Sequence, residues 1–314
     1  MSIAFLFPGQ GAQSPGFLHR LIEKHKELEA HFAEASDALS QDVMALDSED
    51  ALTSTVAVQL TTVVAATGMA RLCRARGIKP QAVAGLSVGA FAAAFSGGAI
   101  EFAPMLKMVA LRAHLMEHAY PTGYGLAAVV GLPQRQLAGL VGRIHSEERP
   151  VYIANLNAPT QFVLAGKKSA LNDLLELART AGARKAELMA VAVPSHCPLL
   201  TAVGDELAAA IAEIAVVAPE TPYVSNLGGR LVSDPEAIRR DLARNVMYPV
   251  LWRDATTVLH EVGVRLFLEM PPGHTLTNLA AEAFEDARAL ALDENRLDTV
   301  EFLAAREAAV DGAP

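Results

Sequence analysis

Short apolar segments alternate with longer segments of helical periodicity along most of the chain. Ile3–Phe7 and Ala82–Leu86 are short apolar runs, which are typical of strands buried on both faces. Helical patterns cover Ala51–Arg76, Val88–Phe95 and Phe102–His118. This alternation predicts an α/β fold with a mostly parallel sheet that helices cover on both faces.

The middle of the chain has a different order of elements. Strand and helix patterns follow one another there as Gly125–Leu132, Gln134–Ile144, Val151–Asn155, Gln161–Ala165, Lys167–Thr180 and Ala186–Val193. The order β-α-β-β-α-β is the ferredoxin-like pattern. We therefore predict a small ferredoxin-like domain over residues 124–193, inserted into a large α/β domain that residues 1–123 and 194–314 form.

Composition and charge exclude several classes of protein. Hydrophobic residues make up 52% of the chain and charged residues 19%, which indicates a folded protein. The net charge of -9 and the lack of a long basic run argue against nucleic-acid binding. The two cysteines, Cys73 and Cys197, offer neither a disulfide framework nor a metal site.

The N-terminal run Ile3–Phe7 has no basic leader and no small-residue cleavage site, so we expect a buried first strand there. No uncharged apolar stretch is expected to be long enough to span a bilayer. We therefore expect a cytoplasmic protein with no membrane partner.

Ser87 is a candidate nucleophile. It is the serine of a Gly-x-Ser-x-Gly segment between a predicted strand and a predicted helix, which is the context of a nucleophile elbow. Gly85 and Gly89 would allow a sharp turn, and N–H groups at the helix N-terminus could stabilise an oxyanion. A tight turn with a capping serine would have the same sequence, and this motif alone does not decide between the two.

The segment Phe7–Gln13 follows the first predicted strand. In a parallel sheet, loops at the carboxyl ends of the strands bind ligands, so this loop can meet the Ser87 turn. Gln10 offers an amide donor there. The alternative is an ordinary turn between a strand and a helix.

A serine nucleophile needs a base, and the chain has nine histidines. Most of them lie in polar helical stretches and are expected at the surface. His196 differs, because Pro194 and Pro198 fix the backbone on either side of it at the end of the last strand of the insertion. The alternative is a structural histidine in a rigid crossing segment.

Arg112 lies in an otherwise apolar helical segment, so its guanidinium needs a partner. A structural carboxylate is one candidate. The other is the carboxylate of a ligand, which the planar guanidinium would bind with two hydrogen bonds.

Taken together, these residues resemble the malonyl-CoA:acyl carrier protein transacylase family, over about Phe5 to Leu279. The family fold is a large α/β hydrolase-like domain with a ferredoxin-like insertion. The matching segments are Phe7–Gln13, the Ser87 turn, Leu111–Met116, Ala154–Pro159, Pro194–Cys197, Arg244–Trp252 and Glu269–Gly273.

The resemblance implies a two-step transfer through a malonyl ester of Ser87, with His196 as the base. No cofactor would be bound: malonyl-CoA is the substrate, and the thiol of a carrier-protein prosthetic arm is the acceptor. The Val88 backbone N–H and Gln10 would hold the oxyanion.

The resemblance also assigns substrate-binding and positioning roles. Arg112 would hold the free carboxylate of the malonyl group, and Asn157 would contribute to substrate binding. The family orients its histidine through a backbone carbonyl, and the matching residue is Asn245.

Three positions depart from the common family pattern, with Leu86 in place of histidine, Ala90 in place of glutamate and Pro271 in place of glycine. The segment Gly85–Phe91 resembles the epsilon subunit of malonate decarboxylase, which loads the small carrier subunit of that enzyme. The alternatives are a transacylase of fatty-acid synthesis, a serine thioesterase or hydrolase, and an inactive scaffold subunit.

An acidic carrier protein would need a local basic patch on this chain. Two clusters are candidates, although either could be a solvated helix end: Arg71, Arg74, Arg76 and Lys79, and Arg179, Arg184 and Lys185.

Overall fold

The computed structural model describes residues 2–120 and 122–311. The strands within these residues are β1 (Ser2–Phe7), β2 (Ala82–Gly85), β3 (Tyr124–Val130), β4 (Val151–Ala158), β5 (Gln161–Lys167), β6 (Lys185–Leu188), β7 (Tyr223–Val224), β8 (Leu231–Val232), β9 (Val264–Glu269) and β10 (Arg288–Ala291). The helices are α1 (Phe17–Lys24), α2 (Glu29–Leu39), α3 (Thr55–Ala75), α4 (Gly89–Ser96), α5 (Phe102–Ala119), α6 (Gln134–Ile144), α7 (Lys168–Thr180), α8 (Thr201–Ala212), α9 (Pro235–Arg244), α10 (Trp252–Glu261), α11 (Thr275–Ala283) and α12 (Leu297–Asp311).

The large sheet has the strand order β10-β9-β1-β2-β7-β8. Every neighbouring pair is parallel except β7 and β8, which are antiparallel. Phe5 and Phe7 of β1 pack into the core on one face of the sheet, and Ala4 and Leu6 pack into the core on the other face. The prediction of an α/β fold with a mostly parallel sheet is confirmed, and burial on both faces explains why Ile3–Phe7 of β1 are all apolar.

Strands β1 and β2 end side by side, because Phe7 is the parallel partner of Gly85. The loop after Phe7 and the turn at Ser87 therefore leave the sheet at the same edge. A Cβ atom at Gly89 would lie 2.3 Å from the carbonyl oxygen of Phe7, and one at Gly85 would lie 2.0 Å from the carbonyl oxygen of Gly89. Only glycine allows these backbone segments to approach so closely.

The second sheet is antiparallel, with the strand order β4-β5-β3-β6. Its elements follow one another along the chain as β3-α6-β4-β5-α7-β6. Helices α6 and α7 pack on one face of this sheet and enclose a separate core that includes Leu137, Phe162 and Leu171. The other face borders the large sheet's carboxyl edge through Asn155, Asn157 and Val163.

The last strand of the small sheet is shorter than the predicted strand Ala186–Val193. Strand β6 ends at Leu188, where its pairing with Ala127 of β3 ends. The chain then keeps only single backbone hydrogen bonds, from Met189 to the Leu126 carbonyl and from Leu126 to the Val191 carbonyl. His196 therefore lies beyond an irregular crossing segment and not at the end of a strand.

Helix α3 and the neighbouring His31 both lie inside the fold. Helix α3 is long and apolar enough, by length and composition alone, to cross a membrane, but 89% of its apolar window is buried inside the fold. It packs as a central core helix, with Leu60, Val63 and Val64 fully enclosed. His31 is also buried, where its Nε2 lies 3.1 Å from the hydroxyl oxygen of Thr67.

Candidate active site

Ser87 occupies the sharp turn between β2 and α4. Its backbone is left-handed, with a φ of 58°. This conformation is strained for a residue other than glycine and is found at functional turns. The turn is held on the β1 side by a 2.9 Å hydrogen bond from the Leu86 N–H to the Phe7 carbonyl. Ser87 and Leu86 both line the cleft above the sheet edge.

His196 faces Ser87 directly, with its Nε2 atom 2.7 Å from the Ser87 Oγ atom. The ring's Nδ1 atom lies 2.6 Å from the backbone carbonyl oxygen of Asn245. A carbonyl can only accept a hydrogen bond, so Nδ1 carries the proton and Nε2 is free to accept the Ser87 hydroxyl proton. The backbone of His196 is also left-handed, with a φ of 64°, and its N–H donates to the Val246 carbonyl at 2.6 Å.

Burial, and after it the positive charge of Arg112, together lower the pKa of His196 from 6.5 to about 3. The imidazole is therefore neutral at physiological pH. Because a neutral imidazole with a free Nε2 lone pair is the form that accepts a proton, His196 has the state a general base requires.

Arg112 is fully buried beside Ser87. Its Nη1 donates to the Gln59 side-chain oxygen at 2.6 Å, and its Nη2 lies 3.2 Å from Ser87 Oγ and 3.4 Å from the Asn245 side-chain oxygen. Among the described residues, Arg112 pairs with no Asp or Glu. From the sequence, a structural carboxylate was one candidate partner of Arg112. None is found within the described residues.

Burial lowers the pKa of Arg112 to about 9, which still leaves the guanidinium charged at neutral pH. Its Nε atom has no hydrogen-bond partner among the described residues. A buried cation without a counter-ion is costly, and a ligand carboxylate would compensate it. The site is thus suited to an anionic group placed next to the Ser87 hydroxyl.

Two groups predicted to hold an oxyanion lie at the same edge. No hydrogen-bond partner of the Val88 backbone N–H is found within residues 2–120 and 122–311. Gln10 lines the cleft in the loop after β1, and its side-chain oxygen accepts from Gln59 Nε2 at 3.2 Å. The Val88 N–H is thus available to an incoming oxygen atom.

Gln59 was missed in the sequence analysis. It is fully buried on α3 and connects Arg112 to Gln10 through the two atoms of its side-chain amide. The one available signal for a buried polar role was that Gln59 stands among apolar residues and threonines in a predicted helix. Asn226, which binds the Ser87 backbone N–H at 2.9 Å, was also missed, since it follows a strand of only two residues.

The cleft is a cavity of about 170 Å³ between the two sheets. The loop after β1 and the Ser87 turn form one wall. Asn155 and Asn157 of β4, with Met189 just after β6, contribute to the other. The side-chain oxygen of Asn157 is buried without a partner within the described part of the chain. Asn157 lines the cleft, but this oxygen atom is therefore not exposed to it.

Ion pairs neutralise much of both predicted basic clusters. Arg71 pairs with Glu34, and Arg76 pairs with Glu27 and Glu301. In the second cluster, Arg179 pairs with Glu176, and Lys185 pairs with Glu187. These contacts favour solvated helix ends over a free basic surface at most of these positions.

Comparisons with known proteins agree on one family. The sequence profile of the acyl transferase domain matches residues 4–305. The chain is 35% identical to the malonyl CoA-acyl carrier protein transacylase of Salmonella typhimurium over 93% of this chain and 96% of that protein.

The fold is similar to that of FabD from Acinetobacter baumannii, with a TM-score of 0.92, 29% identity and coverage of 98% of this chain and 99% of that chain. It is also similar to a malonyl-transacylase solved in complex with a type II polyketide synthase acyl-carrier protein. The TM-score there is 0.90, with 32% identity and coverage of 98% and 100%.

Proposed function

The chain belongs to the malonyl-CoA:acyl carrier protein transacylase family of acyltransferases, and on that premise we propose that it transfers a malonyl group from malonyl-CoA to the thiol of a carrier-protein prosthetic arm. The observation that carries the proposal is the position of Arg112. Its buried, uncompensated guanidinium lies 3.2 Å from the Ser87 hydroxyl that would become acylated.

In the first step, the Ser87 hydroxyl gives its proton to His196 Nε2 as its oxygen attacks the thioester carbonyl carbon. The carbonyl oxygen becomes an oxyanion, which the Val88 N–H and Gln10 would stabilise. The C–S bond then breaks, and the departing CoA sulfur takes the proton from His196. A malonyl ester of Ser87 remains.

The second step reverses the first with a different thiol. The prosthetic-arm thiol gives its proton to His196 Nε2, and its sulfur attacks the ester carbonyl. The C–O bond to Ser87 breaks, and the serine oxygen recovers the proton. The hydrogen bond from His196 Nδ1 to the Asn245 carbonyl would keep the ring in the required orientation through both steps.

Malonyl specificity would come from Arg112, which can form two parallel hydrogen bonds to the free carboxylate. An acetyl group would leave the buried guanidinium unpaired, which disfavours it. Asn157, which lines the cleft, would contribute to substrate binding.

For the acceptor, we propose an acyl carrier protein of the kind that the family's fatty-acid enzymes use. The named relatives support this choice over the carrier subunit of malonate decarboxylase. Only Leu86 and Ala90 favour the carrier subunit of malonate decarboxylase as the acceptor. Parallel assays with the two carriers would decide, because the physiological acceptor should give the higher kcat/KM.

The architecture and location complete the proposal. We infer a large α/β hydrolase-like domain over residues 1–123 and 194–314 and a ferredoxin-like domain over residues 124–193, supported by the strand order β4-β5-β3-β6. A cytoplasmic location is consistent with the burial of α3 in the core.

The proposal is tested by incubating the chain with malonyl-CoA and measuring intact mass. We expect a malonyl adduct on Ser87 that a carrier thiol removes, and no adduct in the Ser87→Ala variant. Retained labelling in that variant would exclude Ser87 as the nucleophile. Rapid hydrolysis of malonyl-CoA without an acceptor would instead identify a thioesterase.

A further inference from the structure

Asn226 is bound to the backbone on both sides of Leu86, within the turn that carries Ser87. We propose that Asn226 is a positioning residue, whose side-chain amide holds this turn in its reactive shape. The inference rests on the proposed function, because it concerns the rate at which Ser87 takes up the malonyl group.

The Asn226 amide makes two hydrogen bonds to the turn. Its Oδ1 accepts from the Ser87 N–H at 2.9 Å, and its Nδ2 donates to the Gly85 carbonyl at 2.8 Å. The carbonyl before Leu86 and the N–H after it are the two groups that a parallel neighbouring strand would bind. The side-chain amide therefore replaces a strand residue as the partner of Leu86.

This replacement occurs where backbone pairing ends. Strands β2 and β7 pair in parallel only as far as Ala84 and Val224. Asn226 follows two residues later and extends the ladder by its side chain. The orientation of the amide is fixed, since only one arrangement places its donor on the Gly85 carbonyl and its acceptor on the Ser87 N–H.

The two hydrogen bonds from Asn226 hold the backbone of Ser87, whose hydroxyl would react. Ser87 keeps a strained left-handed backbone with a φ of 58°, and such strain persists only where the surroundings hold it. Because Asn226 occupies the Ser87 N–H, the next N–H along the chain, that of Val88, is the one left for the oxyanion. Loss of the amide would free the turn to relax and would misplace both the hydroxyl and this donor.

Asn226 is itself held rigidly. It is 3% exposed, and its backbone N–H donates to Asp241 Oδ2 at 3.0 Å. Asp241 also accepts from the Leu227 N–H at 2.9 Å and from the Tyr223 hydroxyl. The buried carboxylate thus anchors the segment from which the amide reaches the turn.

The Asn226→Asp variant gives a pH-dependent test, because the introduced carboxyl group can make both hydrogen bonds only when it is protonated. An ionised carboxylate accepts from the Ser87 N–H but repels the Gly85 carbonyl, whereas a protonated carboxyl can accept from one and donate to the other. We expect acylation of Asn226→Asp by malonyl-CoA to be slower at pH 7.5 than in the wild type by about tenfold or more. The rate should recover at lower pH.

The pH effect of the introduced carboxyl group can be separated from the titration of neighbouring groups. The titratable and charged groups around the amide are Asp241 and Tyr223 on one side, and His196 and Arg112 across Ser87. All four are present in the wild type, so the wild-type profile measured in parallel reports their contribution. Asn226→Ser, which cannot span both bonds, should be slow at every pH with an unchanged KM for malonyl-CoA.

The matched control is Asn295→Asp, because Asn295 also bonds a backbone carbonyl, that of Ala291, but lies outside the cleft. It should acylate at the wild-type rate. Wild-type rates at pH 7.5 in folded Asn226→Asp, or a loss that acid does not recover, would overturn the inference. If Asn226→Asp fails to fold, a normal acylation rate in Asn226→Ser overturns it. A wild type that forms no malonyl ester would instead reject the proposed function.

Discussion

Ser87 and His196 contact each other at 2.7 Å, and both have a left-handed backbone, with φ values of 58° and 64°. Such backbones are uncommon for residues other than glycine, and each costs about 1–3 kcal/mol. Both ends of this contact are therefore held in place by the backbone.

Replacing Arg112 should change the acyl group that the enzyme prefers. Arg112→Met removes the charge that would face the malonyl carboxylate, and we expect kcat/KM for malonyl-CoA to fall by about 10²–10³-fold. Transfer from acetyl-CoA should rise, because an uncharged acyl group would no longer leave a buried cation unpaired. The measurement is the rate of Ser87 acylation by each thioester.

Arg112→Lys is the control, since it keeps the charge but cannot form two parallel hydrogen bonds. Partial retention of malonyl preference is expected. If both variants kept the wild-type ratio of malonyl to acetyl transfer, Arg112 would have a structural role only.

The pH dependence of acylation should reflect the lowered pKa of His196, which is about 3 instead of 6.5. Loss of the base requires protonation of Nε2, so we expect kcat/KM to stay level from pH 8 to well below 6.5. The unfolded chain takes up the proton near pH 6.5 and the folded chain near pH 3. Stability therefore decreases as the pH falls through that interval.

Circular dichroism at each pH separates protonation of His196 from unfolding of the protein. Activities are compared only at pH values where the protein remains folded. An activity midpoint near 6.5 in folded protein would show that the imidazole is not shielded. In Arg112→Met, the midpoint should move upward, since one of the two causes that lower this pKa is removed.

The sequence singled out Ser87, His196, Arg112 and the loop after β1, which the structure brings together, because each stands out locally from its surroundings. Ser87 lies between two glycines, and His196 lies between two prolines. Gln59 and Asn226 could not be found in this way. Their contacts depend on how α3 and the segment after β7 pack against the turn, and single-sequence patterns carry no information on such pairings.

The same limit applies to the end of the small sheet. The run from Ala186 to Val193 is apolar enough for a strand, but its second half lines the cleft through Met189 and Val191 instead of pairing. Residues that line a cleft and residues buried in a sheet can produce the same apolar pattern.

Glycine at position 89 should be essential to the fold. A Cβ there would lie 2.3 Å from the Phe7 carbonyl oxygen and 2.6 Å from that of Pro8, so Gly89→Ala must push the loop away from the turn. We expect a loss of stability of about 3 kcal/mol or more, or failure to fold. Urea denaturation measures the change.

The matched control is Gly139→Ala, since both residues lie in helices, and a Cβ at Gly139 meets nothing within 4 Å. It should stabilise the protein by about 0.5–1 kcal/mol. Equal stability of Gly89→Ala and the wild type would contradict the close approach of the two segments.

Gln59→Glu should give Arg112 a counter-ion inside the protein. The introduced carboxylate would occupy the position of the side-chain oxygen that accepts from Nη1 at 2.6 Å. Because it competes with the malonyl carboxylate for the same guanidinium, we expect the KM for malonyl-CoA to rise by about tenfold or more. Steady-state kinetics with malonyl-CoA and a carrier protein provide the measurement.

Gln59→Met is the matched variant, because it has a similar volume and offers Arg112 no acceptor. It should leave the guanidinium charge uncompensated and change the KM less than Gln59→Glu does. Thermal denaturation should show Gln59→Glu to be at least as stable as Gln59→Met, since the new ion pair compensates the buried charge. A similar KM in both variants would mean that Gln59 affects the cleft by packing and not through the charge of Arg112.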